Sequence, residues 1–94
     1  MTTKLLDAVV AQAGSSFDKK GIAALPEQTT ITLHVAHDGV ALTVARVVTL
    51  TVQGDILTTE DDKGDRYVVA LGDVFAATVA AAAGSASRKA GFLR

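Results

Sequence analysis

The spacing of apolar residues changes along the chain, and each change predicts a different element. Between Leu5 and Ala13 the apolar positions recur at helical spacing, which predicts a helix of about three turns. Thr3 can cap its start, and Gly14 can end it in a left-handed conformation. Residues 15–26 follow as a connector. From Thr29 the apolar period becomes two, which predicts a half-buried strand.

A single long strand dominates the middle of the chain. Asp38-Gly39 predicts a two-residue hairpin turn, after which strict apolar alternation continues from Val40 to Val52. A straight strand of that length would reach about 43 Å, far beyond a usual strand. Arg46 is the only residue that interrupts the apolar face, so we expect a bulge or bend there. The alternative is a straight strand with Arg46 turned inward against a carboxylate or a neighbouring subunit.

The next segments predict a second hairpin. Gln53-Gly54-Asp55 turns the chain, and strands over 56–60 and 66–71 flank a polar, glycine-containing turn at 61–65. Four strands therefore follow one another through short turns. The expected fold class is α+β, an N-terminal helix followed by a strongly bent, barrel-like antiparallel meander.

The last third of the chain allows two interpretations. Asp73 and Gly84 can bound a helix, and the alanine-rich composition favours a helix over 76–83. Alternation of Phe75, Ala77 and Val79 also fits a closing strand. We predict the helix, one domain over 1–84, and a short basic tail over 85–94.

Size and composition point to self-association. A chain of 94 residues forms one domain and buries only about 60–65% of its unfolded surface. With no cysteine it has neither disulfides nor thiolate metal ligands to reinforce that core. Its apolar fraction is 49%, mostly in small side chains. We therefore expect the chain to form a dimer or a larger ring.

Charge is distributed unevenly along the chain. Residues 1–20 carry three lysines against two aspartates, residues 21–83 carry three cations against eight carboxylates, and residues 84–94 carry three cations alone. The net charge of −1 argues against sequence-independent nucleic-acid binding by the whole molecule. The apolar run 74–83 is about half the length that spans a bilayer. We expect a soluble, cytoplasmic protein with no membrane partner.

The order of elements over 29–79 resembles the Sm-like small β-barrels. The likeness is carried by Asp38-Gly39, the long strand through Arg46, Gln53-Gly54-Asp55, and the Tyr67–Leu71 strand followed by Gly72-Asp73-Val74. It implies five short, curved strands that close on themselves. This chain departs from the pattern because it has no glycine between Gly39 and Gly54, and it has no counterpart of the base-contacting asparagine. The resemblance therefore implies the fold more than it implies RNA binding.

The sequence contains no convincing catalytic, cofactor or metal site. His34 and His37 have an odd spacing and lie on opposite faces of a strand, so they cannot chelate one metal together. The cluster Glu60, Asp61, Asp62 and Asp65 lacks the ligand series of a calcium loop and fits a solvated hairpin tip. We predict no catalytic residue, no cofactor and no metal.

The sequence supports three functional hypotheses. The leading one is a non-enzymatic assembly module that acts as a homo-oligomer or a small structural subunit, for example of a phage or a shell. Its partner would be a second copy or another protein. The second is an Sm-like regulator that binds RNA or another nucleic acid, and the third is a small enzyme or accessory subunit. Six residues are candidates for interaction: Arg46, Lys19, Lys20, Arg88, Lys89 and Phe92.

Overall fold

One helix and a six-stranded antiparallel sheet make up the part of the chain that the computed structural model describes, residues 1–81. A 3₁₀ turn over Leu71–Asp73 joins the last two strands. The elements are α1 (Thr3–Gln12), β1 (Ile22–Ala24), β2 (Thr29–His37), β3 (Val40–Gln53), β4 (Ile56–Asp61), β5 (Arg66–Ala70) and β6 (Val74–Ala81).

The sheet has the strand order β5-β4-β3-β2-β6, and β1 pairs with β3. Strands β2 to β5 form the predicted meander, which is confirmed. Strand β6 returns to pair with β2, so β5 and β6 lie at opposite ends of the strand order. These two strands do not pair with each other within residues 1–81, so the expected closure into a barrel is not found there.

Helix α1 starts one residue earlier than predicted. The Oγ1 of Thr2, and not that of Thr3, accepts a hydrogen bond from the Leu5 backbone N–H at 3.1 Å and caps the helix. Leu6 and Val10 are fully buried. Gly14 adopts a φ of 85° just past the helix, as predicted.

The first hairpin turn has the geometry that its sequence predicts. Asp38 and Gly39 have φ values of 49° and 82°. Positive φ at both central residues defines the turn whose twist matches that of the flanking strands. The β2–β3 register runs from His37 opposite Val40 at the turn toward Ile31 opposite Val47.

Strand β3 is bulged at Arg46, as predicted. Ile31 and Leu33 on β2 are two residues apart, whereas their partners Val47 and Val44 are three apart. A second extra residue lies at Val48, where the pairing with β4 shifts. Each bulge moves the apolar set to the other face of the sheet.

The buried residues of β3 lie around its two bulges, and its residues near the hairpin turn stay exposed. Val44, Val47 and Leu50 are buried, but Val40 and Leu42 remain 69% and 50% exposed. The alternating apolar positions between Val40 and Val52 therefore do not form one continuous buried surface, in agreement with the bulge expected at Arg46. The core between α1 and the sheet contains Leu6, Val10, Ala23, Ile31, Leu33, Val44, Val47, Leu50, Leu57 and Val74.

The helix predicted over 76–83 is wrong as far as the structure describes it. Val74–Ala81 is a strand that pairs with β2 from Thr29 opposite Ala81 to Val35 opposite Val74. Pairing supplies β2 with a second neighbour and satisfies its backbone groups, which outweighs the helix propensity of alanine. Residues 82–83, the domain boundary at 84 and the tail over 85–94 lie outside the described residues.

Candidate interaction surfaces

An open groove of about 640 Å³ surrounds Arg46. One wall is the connection from β1 to β2, and another is the end of β6 at Ala80 and Ala81. Arg46 and Asp62 lie together at the β3 bulge and the β4–β5 turn. The lining is Leu25, Pro26, Glu27, Gln28, Thr29, Thr30, Arg46, Val48, Asp62, Ala80 and Ala81.

Asp62 holds the Arg46 bulge through both its backbone and its side chain. The Asp62 N–H donates to the Arg46 carbonyl oxygen at 3.1 Å, and the guanidinium binds the Asp62 carboxylate. That side-chain hydrogen bond lowers the pKa of Asp62 and raises the pKa of Arg46. Arg46 points away from the core, its side chain 66% exposed, and meets a carboxylate outside it. The straight-strand alternative is therefore excluded.

The acidic hairpin tip is organised by Asp61. Its Oδ1 accepts hydrogen bonds from the backbone N–H groups of Lys63 and Asp65, both at 2.9 Å. This is the local turn geometry that aspartate favours. Within residues 1–81, no three His, Cys, Asp or Glu side chains converge as they would around a metal ion.

Two residues with unusual backbone conformations lie in the groove. Gln28 and Arg46 have φ values of 67° and 62°. Asp38, in the hairpin turn, is the only other non-glycine residue with positive φ in the described chain. Such conformations persist where the surrounding structure holds them, and they are common at functional sites. The groove is thus bounded by backbone that its neighbours hold in place.

The two terminal strands of the sheet present a different kind of surface. Within residues 1–81, β5 pairs only with β4 and β6 pairs only with β2. Each therefore has an outer row of backbone groups without a strand partner there. Both strands also carry a large exposed apolar side chain, since Val68 on β5 is 66% exposed and Phe75 on β6 is 63% exposed.

Sequence reasoning missed Val68 and Phe75. The sequence did contain a signal for Phe75, because Phe75 belongs to the apolar alternation that fits a closing strand. The sequence does not say, however, which strands finish at the ends of a sheet. Glu27 and Gln28 in the groove were missed as well, because they lie in a connector without periodicity.

The two histidines serve separate contacts. His34 Nε2 lies 3.1 Å from Thr78 Oγ1, which links β2 to β6, and its ring lies beside Phe75. His37 Nδ1 lies 3.1 Å from the Asp73 carboxylate and its Nε2 lies 3.3 Å from that of Asp38. His34 and His37 therefore have no contact partner in common.

The remaining predicted interaction residues are not brought together with Arg46. Lys19 and Lys20 are exposed in the turn before β1 and do not line the groove. Asp18 shapes that turn by accepting hydrogen bonds from the Ile22 and Lys20 N–H groups, and these lower its pKa. Arg88, Lys89 and Phe92 lie outside the described residues.

Comparisons with known proteins do not assign the chain to a family. No protein-family model, curated protein or solved structure matches it. In the described part of the chain, no helix combines the length and the apolar character needed to cross a membrane.

Proposed function

We propose that this protein is a non-enzymatic assembly module that self-associates through the outer edges of β5 and β6. The observation that carries the proposal is the lack of charge along the edge strand β6. Its eight residues, Val74–Ala81, include no charged side chain. An uncharged edge strand without a partner favours pairing with another strand, and proteins usually block such edges with charges, prolines or covering segments.

The position of the two edges favours a head-to-tail arrangement. Strands β5 and β6 lie at opposite ends of the strand order, so β5 of one copy can add to β6 of the next. Repetition of this contact gives a ring if the rotation closes and a filament if it does not. Val68 and Phe75 are exposed on these two strands and would add apolar contact to the backbone hydrogen bonds.

This arrangement suits a structural subunit, for example of a phage or a shell, with the cytoplasm as the expected compartment. It is also compatible with the Sm-like resemblance proposed from the sequence, although the described sheet is open. The small chain gains from assembly because its own core is limited.

Lysine substitutions at the edges test the proposal. We expect the wild type to have a mass in solution that is a multiple of the 9.6 kDa chain. Val68→Lys and Phe75→Lys should each be monomeric, because every head-to-tail contact uses one β5 edge and one β6 edge. Light scattering coupled to gel filtration measures these masses. An equimolar mixture of the two variants should form a dimer, because one intact edge of each kind remains.

Val40→Lys is the matched control. Val40 is as exposed as Val68 and Phe75, but it lies at the tip of the β2–β3 hairpin. This variant should keep the wild-type mass. A monomeric wild type would contradict the proposal. So would edge variants that assemble like the wild type, or a control variant that does not assemble.

Nucleic-acid binding is the rival function, and the described structure favours it less. The Arg46 guanidinium is already bound to Asp62, and Lys19 and Lys20 lie apart from it. Nucleic-acid binding would depend mainly on the basic residues of the segment 85–94. If it were correct, affinity for generic RNA would fall steeply as salt is added.

A further inference from the structure

The groove around Arg46 lies where the described chain ends. Ala80 and Ala81, the last two described residues, form part of its lining. Residues 82–94 are joined to Ala81, so this segment begins at the groove. No long connection is needed to bring this segment to the surface beside it.

Charge is complementary between the groove and this segment. The groove is lined by the carboxylates of Glu27 and Asp62 and by one cation, Arg46, which Asp62 already binds. Asp61 lies next to them at the hairpin tip. Residues 82–94 contain three cations and no carboxylate side chain. Long-range attraction favours a basic segment beside a net acidic groove.

Apolar surface is also present on both sides. Leu25, Pro26 and Val48 contribute the apolar part of the groove. Phe92 and Leu93 are the large apolar residues of the segment. The groove thus offers carboxylates and an apolar wall, which are the two features that a basic segment with an aromatic residue requires.

The length of the segment permits binding within one chain. At about 3.3 Å per residue, Arg88 can lie up to roughly 23 Å from Ala81, and Phe92 up to roughly 36 Å. A tether this short gives an effective concentration in the millimolar range, so even modest contacts suffice. The backbone held at Gln28 and Arg46 further reduces the cost of ordering the groove.

We propose that the basic segment 85–94 binds in the Arg46 groove of its own chain. Arg88 and Lys89 face Glu27, and Phe92 packs against Leu25 and Pro26. This inference does not rest on the proposed self-association, since it uses neither the β5 edge nor the outer edge of β6.

A single spin label tests this placement. The chain has no cysteine, so Ala90→Cys provides one unique site for a nitroxide on the full-length protein. Paramagnetic broadening of ¹⁵N-labelled amides then reports their distance from residue 90. We expect broadening at Arg46, Val48 and Asp62, groove residues that do not pair with β6, to be at least threefold larger than at Gly54 and Asp55, which lie at the far end of β4. Equal broadening at both places would overturn the proposal.

Two further experiments identify the groove residue that binds the segment and show whether the segment belongs to the same chain. Glu27→Gln should at least halve the broadening at the groove, whereas Asp55→Asn, an equal charge change on an exposed turn, should leave it unchanged. Broadening should disappear when ¹⁵N-labelled chains without a nitroxide are mixed with unlabelled chains that carry one. Full broadening in that mixture would show that the segment comes from a second copy, which would refute binding within one chain.

Discussion

Arg46 adopts a left-handed backbone conformation inside a strand, with φ at 62°. A residue with a Cβ is strained there, because the Cβ approaches the following carbonyl. Asp62 offsets this strain with two contacts, a backbone hydrogen bond to the Arg46 carbonyl and an ion pair with its guanidinium. Contacts with the β4–β5 turn therefore stabilise the bulge in β3.

We predict that Arg46→Gly is more stable to urea than Arg46→Ala. Both variants lack the guanidinium, so the loss of the ion pair cancels in the comparison. Only alanine keeps a Cβ at positive φ, which costs about 1 kcal/mol. Arg46→Ala itself should remain folded, because the side chain is exposed. If the strand ran without a bulge in solution, Arg46→Ala would instead be the more stable variant by about 0.5–1 kcal/mol, because glycine weakens a regular strand.

The sequence predicts the backbone conformation of some residues and not of others. Arg46 was predictable because a charge on an apolar face of a strand is costly unless the strand changes register there. The conformation of Gln28 was not predictable, since glutamine has no preference for positive φ. It follows from the turn in which the Thr29 N–H donates to the Pro26 carbonyl oxygen at 3.1 Å.

At the scale of elements, local chemistry predicted the turns better than the last strand. The Asp38-Gly39 pair predicts its turn type without any tertiary information, because few residue pairs accept two positive φ values. The segment 74–81 has no such local rule, and its alanines favour helix in isolation. Its strand conformation depends on pairing with β2, whose residues lie 39 to 52 positions earlier in the sequence than their partners on β6.

Two glycines provide an element-scale prediction. Gly21 and Gly39 both have positive φ, at 79° and 82°, but their surroundings differ. A Cβ at Gly39 would meet open space, whereas one at Gly21 would collide with the Val52 carbonyl oxygen. Gly39→Ala should cost about 1 kcal/mol for the backbone conformation alone. Gly21→Ala should cost roughly 1–3 kcal/mol more, since β1 must shift away from β3.

Urea unfolding measures both glycine variants. Equal losses of unfolding free energy would show that β1 does not approach β3 as closely as the structure indicates. A larger loss for Gly39→Ala would contradict the account of both turns.

Over residues 1–81 the molecule combines a small core with two sheet edges that have no strand partner in that range. Size, lack of cysteine and apolar composition predict self-association from the sequence, and this stays a prediction. The sequence did not indicate the surfaces, because Val68 and Phe75 become edge residues only through the strand order β5-β4-β3-β2-β6. Candidate sites that depend on topology in this way cannot be identified from local patterns alone.

Hydrogen exchange at two protein concentrations tests most directly whether the chain assembles through these edges. Short labelling pulses sample amides that exchange without global unfolding. Across an about hundredfold increase in concentration, we predict that exchange in β5 and β6 slows by roughly tenfold or more as assembly proceeds. Amides of β2, paired on both sides, should stay protected throughout. Unchanged exchange in β5 and β6, or new protection only at the β2–β3 hairpin tip, would contradict the account.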